Sequence, residues 1–594
     1  MKLKVTAGGD ETERMVLALH MRRLHMPRLD CAWIMLQSLF RRDGGLAVHI
    51  RAFDFIDRYF MLALFLCRAG CALRKHLVIG VAVGLMVGTL LPHRAVAADL
   101  KIGLAADISS LDPHYLNIAP NIALSSHIFD ALVNVDAAGH LMPGLALSWR
   151  AVDPTTWEFI LRPGVKFHDG SALSIEDVIF SLQRPATLAG SPGPFTTYTR
   201  QITAMQAAGP LTLRLKTATP YGALPLDMST IFIVSKKAAA AATTDDFNNG
   251  RAAIGTGPYR LVAFKRGDRV EMARNGDYWG DKPAWDKVTM RIIASNAPRL
   301  AALLAGDVDV IEAVPTTDVG TIRRNPKFHL AQTVSWRTLF WTLDQADHPA
   351  GFVTDAAGKP LAKNPLRDAR VRLAISKAIN RPAMVARTME GLATPASNIV
   401  APGIFGYNAA LKVEAYDPEG AKKLLAEAGY PNGFNLTLHG PNNRYMNDEQ
   451  IVQTTAQFLN RIGIRAKVAT MPLSVYFGRA KTGEFSMALL GWGTLAGDFG
   501  LRTLVGTTNA ASGWGSWNWG RYRTPAVDRL RVQSLGSVEA GRRETFAREA
   551  AALALHDNAV IPLHHQTATW AMRRGLAYTP RIDEFTFAHQ FKPE

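Results

Sequence analysis

The stretch that decides the fold is TWEFILRPGVKFHDGSALSIEDVIFSLQR, residues 156–184. Its first apolar side chains alternate along the chain, at Trp157, Phe159 and Leu161. Alternation with period two predicts a half-buried β-strand. Pro163-Gly164 predicts a tight turn, after which residues 165–167 are expected to return as the partner strand. The stretch is therefore predicted to open as a β-hairpin.

A helix is predicted to follow the hairpin. Ser174 is placed to cap its first turn, and Asp177, three residues later, completes a capping box. The apolar side chains then fall at helical spacing, at Ile175, Val178, Ile179 and Leu182. Pro185 should end the helix. Short strands alternating with amphipathic helices indicate α/β layers.

Three more segments repeat this alternation. Residues 298–315 predict a helix that ends at Gly306 and is followed by a strand from Val308 to Ile311. The buried side of this helix is expected to consist of Leu300, Leu303 and Leu304. Residues 365–381 predict a longer helix whose apolar face is Val371, Ala374, Ile375, Ala378 and Ile379. Residues 416–438 predict a helix capped by Asp417 and ended by Gly429, with a strand after it.

These segments, in this order, resemble the extracellular solute-binding proteins of the peptide/nickel class, family 5. Further matching runs are SLDPHYLN (110–117), GTGPYRL (255–261), NGDYWG (275–280) and IPLHHQ (561–566). The resemblance implies an α/β, two-lobed periplasmic binding protein clamshell of class II, whose large lobe I carries an extra subdomain. It implies lobe I at 98–337, lobe II at 338–563 and a return to lobe I at 564–594. The hinge is expected near residues 334–340 and the IPLHH strand.

The same resemblance implies a function. We expect the solute-binding component of an ABC importer, which binds short peptides and delivers them to a membrane permease with its ATPase. Other solutes stay open within the class: an opine, glutathione, a nickel chelate or an oligosaccharide. Outside the class, the alternative is an exported hydrolase. A monomer without a cofactor or a bound metal is expected.

The most apolar run of the sequence points to export. Residues 77–91 carry no charge, and fifteen residues of helix span about 22 Å, short of the ~30 Å core of a bilayer. A basic stretch precedes the run and Ala95-Val96-Ala97 follows it, the pattern of a cleavable signal peptide at 74–97. The mature chain is expected to begin near Ala98, in the periplasm. Residues 1–73 are interpreted as a surplus leader, and an uncleaved anchor or a lipid anchor stays as an alternative.

Composition excludes several other classes. All three cysteines precede residue 98, so the expected mature chain has neither disulfides nor thiol chemistry. Its Lys and Arg residues exceed its acidic residues, but they are dispersed and not clustered with aromatic residues as in nucleic-acid-binding proteins, so no nucleic-acid partner is expected. The sequence contains no G-x-S-x-G elbow, P-loop or H-E-x-x-H motif, which argues against an enzyme.

Arg444 is the first candidate ligand-binding residue. It lies in HGPNNRYMNDEQ (439–450), between a predicted strand and a helix that buries Ile451, Phe458 and Leu459. The resemblance implies that an arginine in this loop grips the carboxylate of a peptide. The planar guanidinium suits this role because it can bind a carboxylate through two hydrogen bonds.

The opposite end of a peptide is an ammonium group and needs an acid. GWGTLAGDF (491–499) resembles the loop in which peptide-binding relatives place an aspartate three residues after the tryptophan, but this chain has Leu495 there. Asp498 is the nearest carboxylate and could replace it. Trp492 is expected either in the core or on the wall of the cleft.

The remaining candidates are aromatic or lie in the first loop. Trp514 and Trp517 belong to the glycine-rich run GWGSWNWG (513–520) and could line a cleft. Asp112, His114 and Tyr115 fall in the first loop, where the resemblance implies contact with ligand from lobe I.

Overall fold

The computed structural model describes residues 98–188, 190–509 and 512–594. The predicted leader, the signal peptide and the three cysteines lie outside these residues. Within them, no helix combines the length and the apolar character needed to cross a membrane.

The chain up to residue 324 supplies the following elements. The strands are β1 (Asp99–Leu104), β2 (Val133–Val135), β3 (Leu141–Pro143), β4 (Ala146–Asp153), β5 (Thr156–Leu161), β6 (Ile202–Gly209), β7 (Thr212–Thr217), β8 (Tyr259–Lys265), β9 (Arg269–Arg274), β10 (Lys287–Ile292) and β11 (Val310–Glu312). The helices are α1 (Ala119–Ile128), α2 (Ile175–Gln183), α3 (Thr196–Thr199), α4 (Leu224–Asp227), α5 (Lys236–Ala239), α6 (Thr244–Asn248), α7 (Asn296–Ala305) and α8 (Thr316–Arg324).

The rest of the chain begins and ends with two long strands. Its strands are β12 (Phe328–Leu343), β13 (Val353–Thr354), β14 (Ala393–Pro395), β15 (Asn435–Pro441), β16 (Arg465–Met471), β17 (Met487–Gly493), β18 (Val560–Arg573), β19 (Leu576–Ala577) and β20 (Lys592–Pro593). Its helices are α9 (Ala369–Ala378), α10 (Arg381–Arg387), α11 (Pro418–Glu427), α12 (Asp448–Asn460), α13 (Leu473–Lys481), α14 (Gly497–Gly500), α15 (Pro525–Leu535) and α16 (Ala540–His556).

One mixed sheet runs through the molecule in the order β13-β15-β17-β12-β18-β11-β1-β10-β9-β8. The long antiparallel strands β12 and β18 pair with each other at its centre, and their register shifts between Val334 and Thr338. On one side of this shift the sheet packs on cores built from residues 339–563 together with Ile582. On the other side the sheet packs on a core built from residues 100–331 and 568–591. The fold is therefore two-lobed, with β12 and β18 belonging to both lobes.

A separate four-stranded sheet, β4-β5-β7-β6, carries the quoted stretch. β5 forms as predicted, and Ser174 and Asp177 form the predicted capping box at the start of α2. The predicted partner strand is wrong, because β4 and β7 occupy both edges of β5. Residues 165–167 instead fold back locally, with the amide of Leu173 donating to the carbonyl of Val165.

The other predicted helices form, with one error of face. Gly306 caps α7 at φ +81°, a left-handed conformation that glycine adopts without strain. Leu304 is 48% exposed, although it was predicted to be buried. Arg299 turns inward in its place, donating to the carbonyls of Ile293 and Ala313. The predicted strand after α7 is shorter than expected, since β11 starts at Val310.

Candidate functional site

A cavity of about 220 Å³ lies between the two lobes. Residues 122–135, 226–232 and 581–590 line it from one lobe, residues 493–499 line it from the other, and Trp336 lines it from the register shift between them. Much of its surface is aromatic, including Phe129, Tyr198, Phe232, Trp336, Phe499 and Phe585. Rings of the two lobes meet in this wall: Tyr198 of one lobe stacks on Phe499 of the other, with centroids 6.0 Å apart. A ligand in this cavity would contact both lobes.

Three carboxylates line the cavity, all from lobe I: Asp130, Asp227 and Asp583. Asp583 forms a buried ion pair with Arg581, whose guanidinium also donates to the carbonyl of Val135. Burial raises the pKa of Asp583, and the charge of Arg581 opposes that rise. Its charge is therefore already matched within lobe I.

Asp130 accepts hydrogen bonds through both oxygens. The hydroxyl of Thr256 donates to Oδ2 at 2.7 Å and the indole of Trp279 donates to the same atom at 2.8 Å. The hydroxyl of Tyr278 lies 3.4 Å from Oδ1. Burial raises the pKa of Asp130, while these three donors act in the opposite direction.

Asp227 is 1% exposed and ends the short helix α4. Its Oδ2 accepts a 2.6 Å hydrogen bond from the hydroxyl of Tyr221. Within the described residues, Oδ1 accepts no hydrogen bond and the carboxylate forms no ion pair within 4.0 Å. Burial raises the pKa of Asp227 to about 6, despite the nearby charge of Arg502. This acid is poised to take a further donor.

A second cavity of about 650 Å³ adjoins the first. It is lined by the loop 403–410, by residues 139–141 of the other lobe and by one face of α16. Leu226 and Leu495 line both cavities. Glu544 in its wall accepts from the amide of Gly406 and from Arg548. The two cavities are therefore treated as one cleft, with Leu226 and Leu495 where they adjoin.

Charged side chains connect the lobes beside the cleft. Nη1 of Arg502 donates to the hydroxyl of Tyr221 at 2.7 Å, and Tyr221 in turn donates to Asp227. Nη1 of Arg543 donates to the carbonyl of Gly222 at 3.1 Å. These contacts join residues 221–227 of lobe I to lobe II, so the structure has the lobes in contact.

Asp498, the predicted substitute acid, lies within this network. It is fully buried, and its Oδ2 lies 2.5 Å from Nε of Arg543. The structure therefore gives its charge a partner inside lobe II. It does not place Asp498 among the residues that line either cavity.

Arg444 lies in the loop between β15 and α12, as predicted. The residue is exposed as a whole, but its guanidinium is largely desolvated and lies over the ring of Tyr445, 5.2 Å from the centroid. Arg444 is not among the residues that line either cavity. Desolvation lowers the pKa of Arg444, and the neighbouring charge of Arg337 adds to the effect. In the described residues the guanidinium has no carboxylate within ion-pair distance, because Glu584 nearby is paired with Arg337.

Two of the three predicted tryptophans, Trp492 and Trp517, belong to one aromatic cluster of lobe II. Trp492 stacks on Phe499 with centroids 6.2 Å apart and lies 5.2 Å from Trp517. Its indole Nε1 is buried and has no hydrogen-bond partner in the described residues. Trp514 packs instead under the guanidinium of Arg531, 3.9 Å from it. The cluster supports the wall of the cleft through Phe499, and its tryptophans do not line either cavity.

The three candidates of the first loop lie inside lobe I. Asp112 is buried and bound by both terminal nitrogens of Arg184, at 2.6 and 2.7 Å. Nε2 of buried His114 lies 2.8 Å from the carbonyl of Phe232. Tyr115 accepts a hydrogen bond from Ser191 through its carbonyl. The structure does not bring these residues to the cavities, since their polar groups are used within lobe I.

Among the residues in or beside the cleft that the sequence did not identify are Asp227, Tyr221, Arg502 and Arg543. Tyr221 and Arg502 are 281 residues apart, and Gly222 and Arg543 are 321 apart. None of them belongs to a recognisable motif. Only the fold reveals their proximity.

The comparisons with known proteins come from sequence and from structure. Residues 140–512 match the model of the bacterial extracellular solute-binding proteins, family 5. The glutathione-binding protein GsiB of Shigella dysenteriae is 27% identical over 496 residues, covering 81% of this chain and 92% of that protein. GsiB of Pectobacterium atrosepticum is 27% identical over 483 residues, covering 79% of this chain and 89% of its own length.

Solved structures share the two-lobed fold. The periplasmic binding protein DppA of Helicobacter pylori, in complex with the peptide STSA, superposes with a TM-score of 0.71 at 24% identity, covering 84% of this chain and 99% of that chain. A dipeptide-binding protein of Pseudoalteromonas sp. SM9913, in complex with Met-Leu, has a TM-score of 0.69 at 19% identity, covering 84% of this chain and all of its own. The fold predicted from the sequence is confirmed.

Proposed function

Because this chain belongs to family 5 of the bacterial extracellular solute-binding proteins, and is a solute-binding component of an ABC importer, we propose that its solute is a short peptide. The peptide would occupy the cavity between the lobes and be released to a membrane permease. The lobes would be 98–337 with 564–594, and 338–563, with the hinge at the register shift of β12 and β18.

The observation that carries the proposal is the composition of the cavity wall. Both lobes contribute to it, and rings of the two lobes stack on each other in that wall. A ligand favours the closed state only to the extent that it binds that state more tightly, which requires simultaneous contact with both lobes. The cavity meets this requirement.

The size of the cavity favours a small ligand. Its volume of about 220 Å³ equals roughly seven water molecules at about 30 Å³ each. Pockets for drug-sized ligands start at about 300 Å³. We infer a peptide of two or three residues, with larger side chains reaching the adjoining cavity of about 650 Å³.

Arg444 is the candidate for the carboxylate end of a peptide. It offers a guanidinium without an ion-pair partner in the described residues, and we propose that it binds the terminal carboxylate. A guanidinium holds a carboxylate through two parallel hydrogen bonds. The aromatic wall would pack against apolar side chains and backbone between the two ends.

The sequence relatives favour a short peptide as the solute, while two similar structures hold Ni(L-His) and agropinic acid instead. The glutathione-binding relatives and the structures that hold STSA or Met-Leu all concern short peptides. Glutathione is itself a tripeptide, so it falls within the proposed size. Location in the periplasm, export by a signal peptide, a monomeric state and the absence of catalysis complete the proposal.

Titration calorimetry with Ala-Phe, Met-Leu and glutathione tests the proposal, with maltose and octopine as members of the alternative classes. We expect binding of at least one peptide with one site per chain, and recovery of that peptide intact after incubation. Binding of maltose or octopine alone would favour the alternative solutes. Cleavage of a bound peptide would favour an exported hydrolase.

A further inference from the structure

We propose that Asp227 is the residue that binds the cationic amine of the solute, so that lobe I supplies the ammonium site of the cleft. This inference rests on the proposed function, because it assigns one end of the peptide to the cavity. The inference adds to the proposed function the identity of the anionic group and the lobe that supplies it.

Two of the three acids that line the cavity already have partners within lobe I. Asp583 is ion-paired with Arg581, so its charge is matched. Asp130 accepts hydrogen bonds through both oxygens from groups of lobe I. Asp227 alone of these three leaves an oxygen without a donor in the described residues.

Tyr221 and Arg502 hold the carboxylate of Asp227 through a chain of hydrogen bonds. Tyr221 donates to its Oδ2, and Arg502 donates to the oxygen of Tyr221, which fixes the carboxylate in one orientation. Arg502 thus supports Asp227 through the tyrosine and does not pair with it within 4.0 Å. Arg543 lies near as well, but its charge is matched by Asp498. The free oxygen Oδ1 stays available for a ligand.

A cation bound beside Asp227 would change the ionisation of its carboxyl group. The charged and titratable groups around Asp227 are Tyr198, Tyr221, Asp498, Arg502 and Arg543. Without a ligand, burial outweighs the two arginines and raises the pKa of Asp227 to about 6. An ammonium group in contact with Oδ1 would stabilise the ionised form. Ammonium binding should therefore require the loss of a proton from Asp227 below about pH 6.

The aromatic surroundings fit a cation. Tyr198 and Phe499 line the same cavity as Asp227 and stack on each other across the lobes. Ring faces attract ammonium groups, most strongly where water is excluded. A buried acid beside ring faces is selective for an amine over a neutral amide, because an amide leaves the carboxylate without a counter-charge.

Calorimetry on Ala-Phe, Met-Leu and glutathione, each with a free and with an acetylated amine, tests the inference. Asp227→Asn should weaken binding of the free-amine probes about thirtyfold or more, the loss typical of removing one partner of a buried charge pair. The acetylated probes should bind the unaltered chain weakly and lose little more in the variant. Asp130→Asn is the matched control and should change affinity less than Asp227→Asn.

Two further measurements separate a binding role from a structural one. Affinity for a free-amine probe should fall about tenfold per pH unit below about pH 6 in the unaltered chain, and this dependence should vanish in Asp227→Asn. Leu495→Asp, added to Asp227→Asn, places a new acid on the opposite wall of the cavity and should restore part of the affinity.

The outcomes distinguish failure of the proposed peptide-binding function from failure of the assignment of Asp227. Failure of all three free-amine probes to bind the unaltered chain would overturn the proposed function and this inference with it. Normal binding of a free-amine probe by Asp227→Asn, or equal binding of acetylated and free probes by the unaltered chain, would overturn this inference alone. A larger loss in Asp130→Asn would move the ammonium site to that acid.

Discussion

Replacing Asp498 by asparagine should destabilise lobe II while the backbone stays in place. Asp498 is fully buried, and its partner Arg543 has a side chain only 11% exposed. Removing one member of a buried ion pair costs about 3–5 kcal/mol, because the other charge is left without compensation. Arg543 would keep its bond to the carbonyl of Gly222 and its position over the ring of Phe405. We therefore expect a loss near the lower end, about 3 kcal/mol.

Glu419→Gln is the matched control. Glu419 also forms an acid–base pair, with Lys422 at 2.9 Å, but the two side chains are 75% and 48% exposed. Exposed pairs contribute only about 0.2–1 kcal/mol, and salt reduces this further. Equilibrium unfolding in urea, followed by tryptophan fluorescence, gives both losses from the same transition of lobe II. Equal losses in the two variants would refute the reasoning, since burial would then have no influence on the cost.

Three other predictions concern the ligand, the acid of the cavity and export. Arg444→Ala should weaken binding of a peptide with a free carboxylate by about 2–5 kcal/mol, yet hardly change binding of its C-terminal amide. Arg444→Lys should recover part of the lost affinity. If calorimetry shows that the losses from substitution and from amidation simply add, Arg444 does not bind the carboxylate. Asp227→Asn should stabilise the unliganded chain at pH 8 by up to about 3 kcal/mol in urea unfolding. Burial raises the pKa of Asp227 to about 6, so the unaltered chain, unlike the variant, should lose stability as pH rises from about 4 to 6. N-terminal sequencing of exported protein should begin within a few residues of Ala98, and a start before residue 90 would contradict cleavage there.

Local signals predicted the elements well where the determining contacts lie within one turn. Ser174 with Asp177, Asp417 and Gly306 each act on neighbouring backbone, and each is a cap in the structure. The apolar face of α9 is buried as its spacing predicts. Such signals need no knowledge of the rest of the chain.

Predictions failed where a distant partner decides the outcome. Residues 165–167 look like a strand, but β4 and β7 already pair with β5. Leu304 is exposed and Arg299 is buried, because carbonyls before α7 and at the end of β11 accept from the guanidinium. In each case the competing group lies outside the sequence segment from which the element was predicted.

The cleft was the least predictable part, for the same reason. Asp112 looks available in the sequence, but Arg184 lies 72 residues away and binds it. Asp227 belongs to no motif and becomes a candidate only when the fold places it in a cavity with Leu495. Motif resemblance located the family and the loop of Arg444, while the pairing of charges required the structure.

Native mass spectrometry of the protein from the periplasmic fraction of its own cells tests the central claim most directly. We predict a complex that is heavier than the mature chain by the mass of one di- or tripeptide. Tandem mass spectrometry of the released ligand would then give the sequence of that peptide. A co-purified sugar, opine or metal chelate in place of a peptide would contradict the assignment of the cleft.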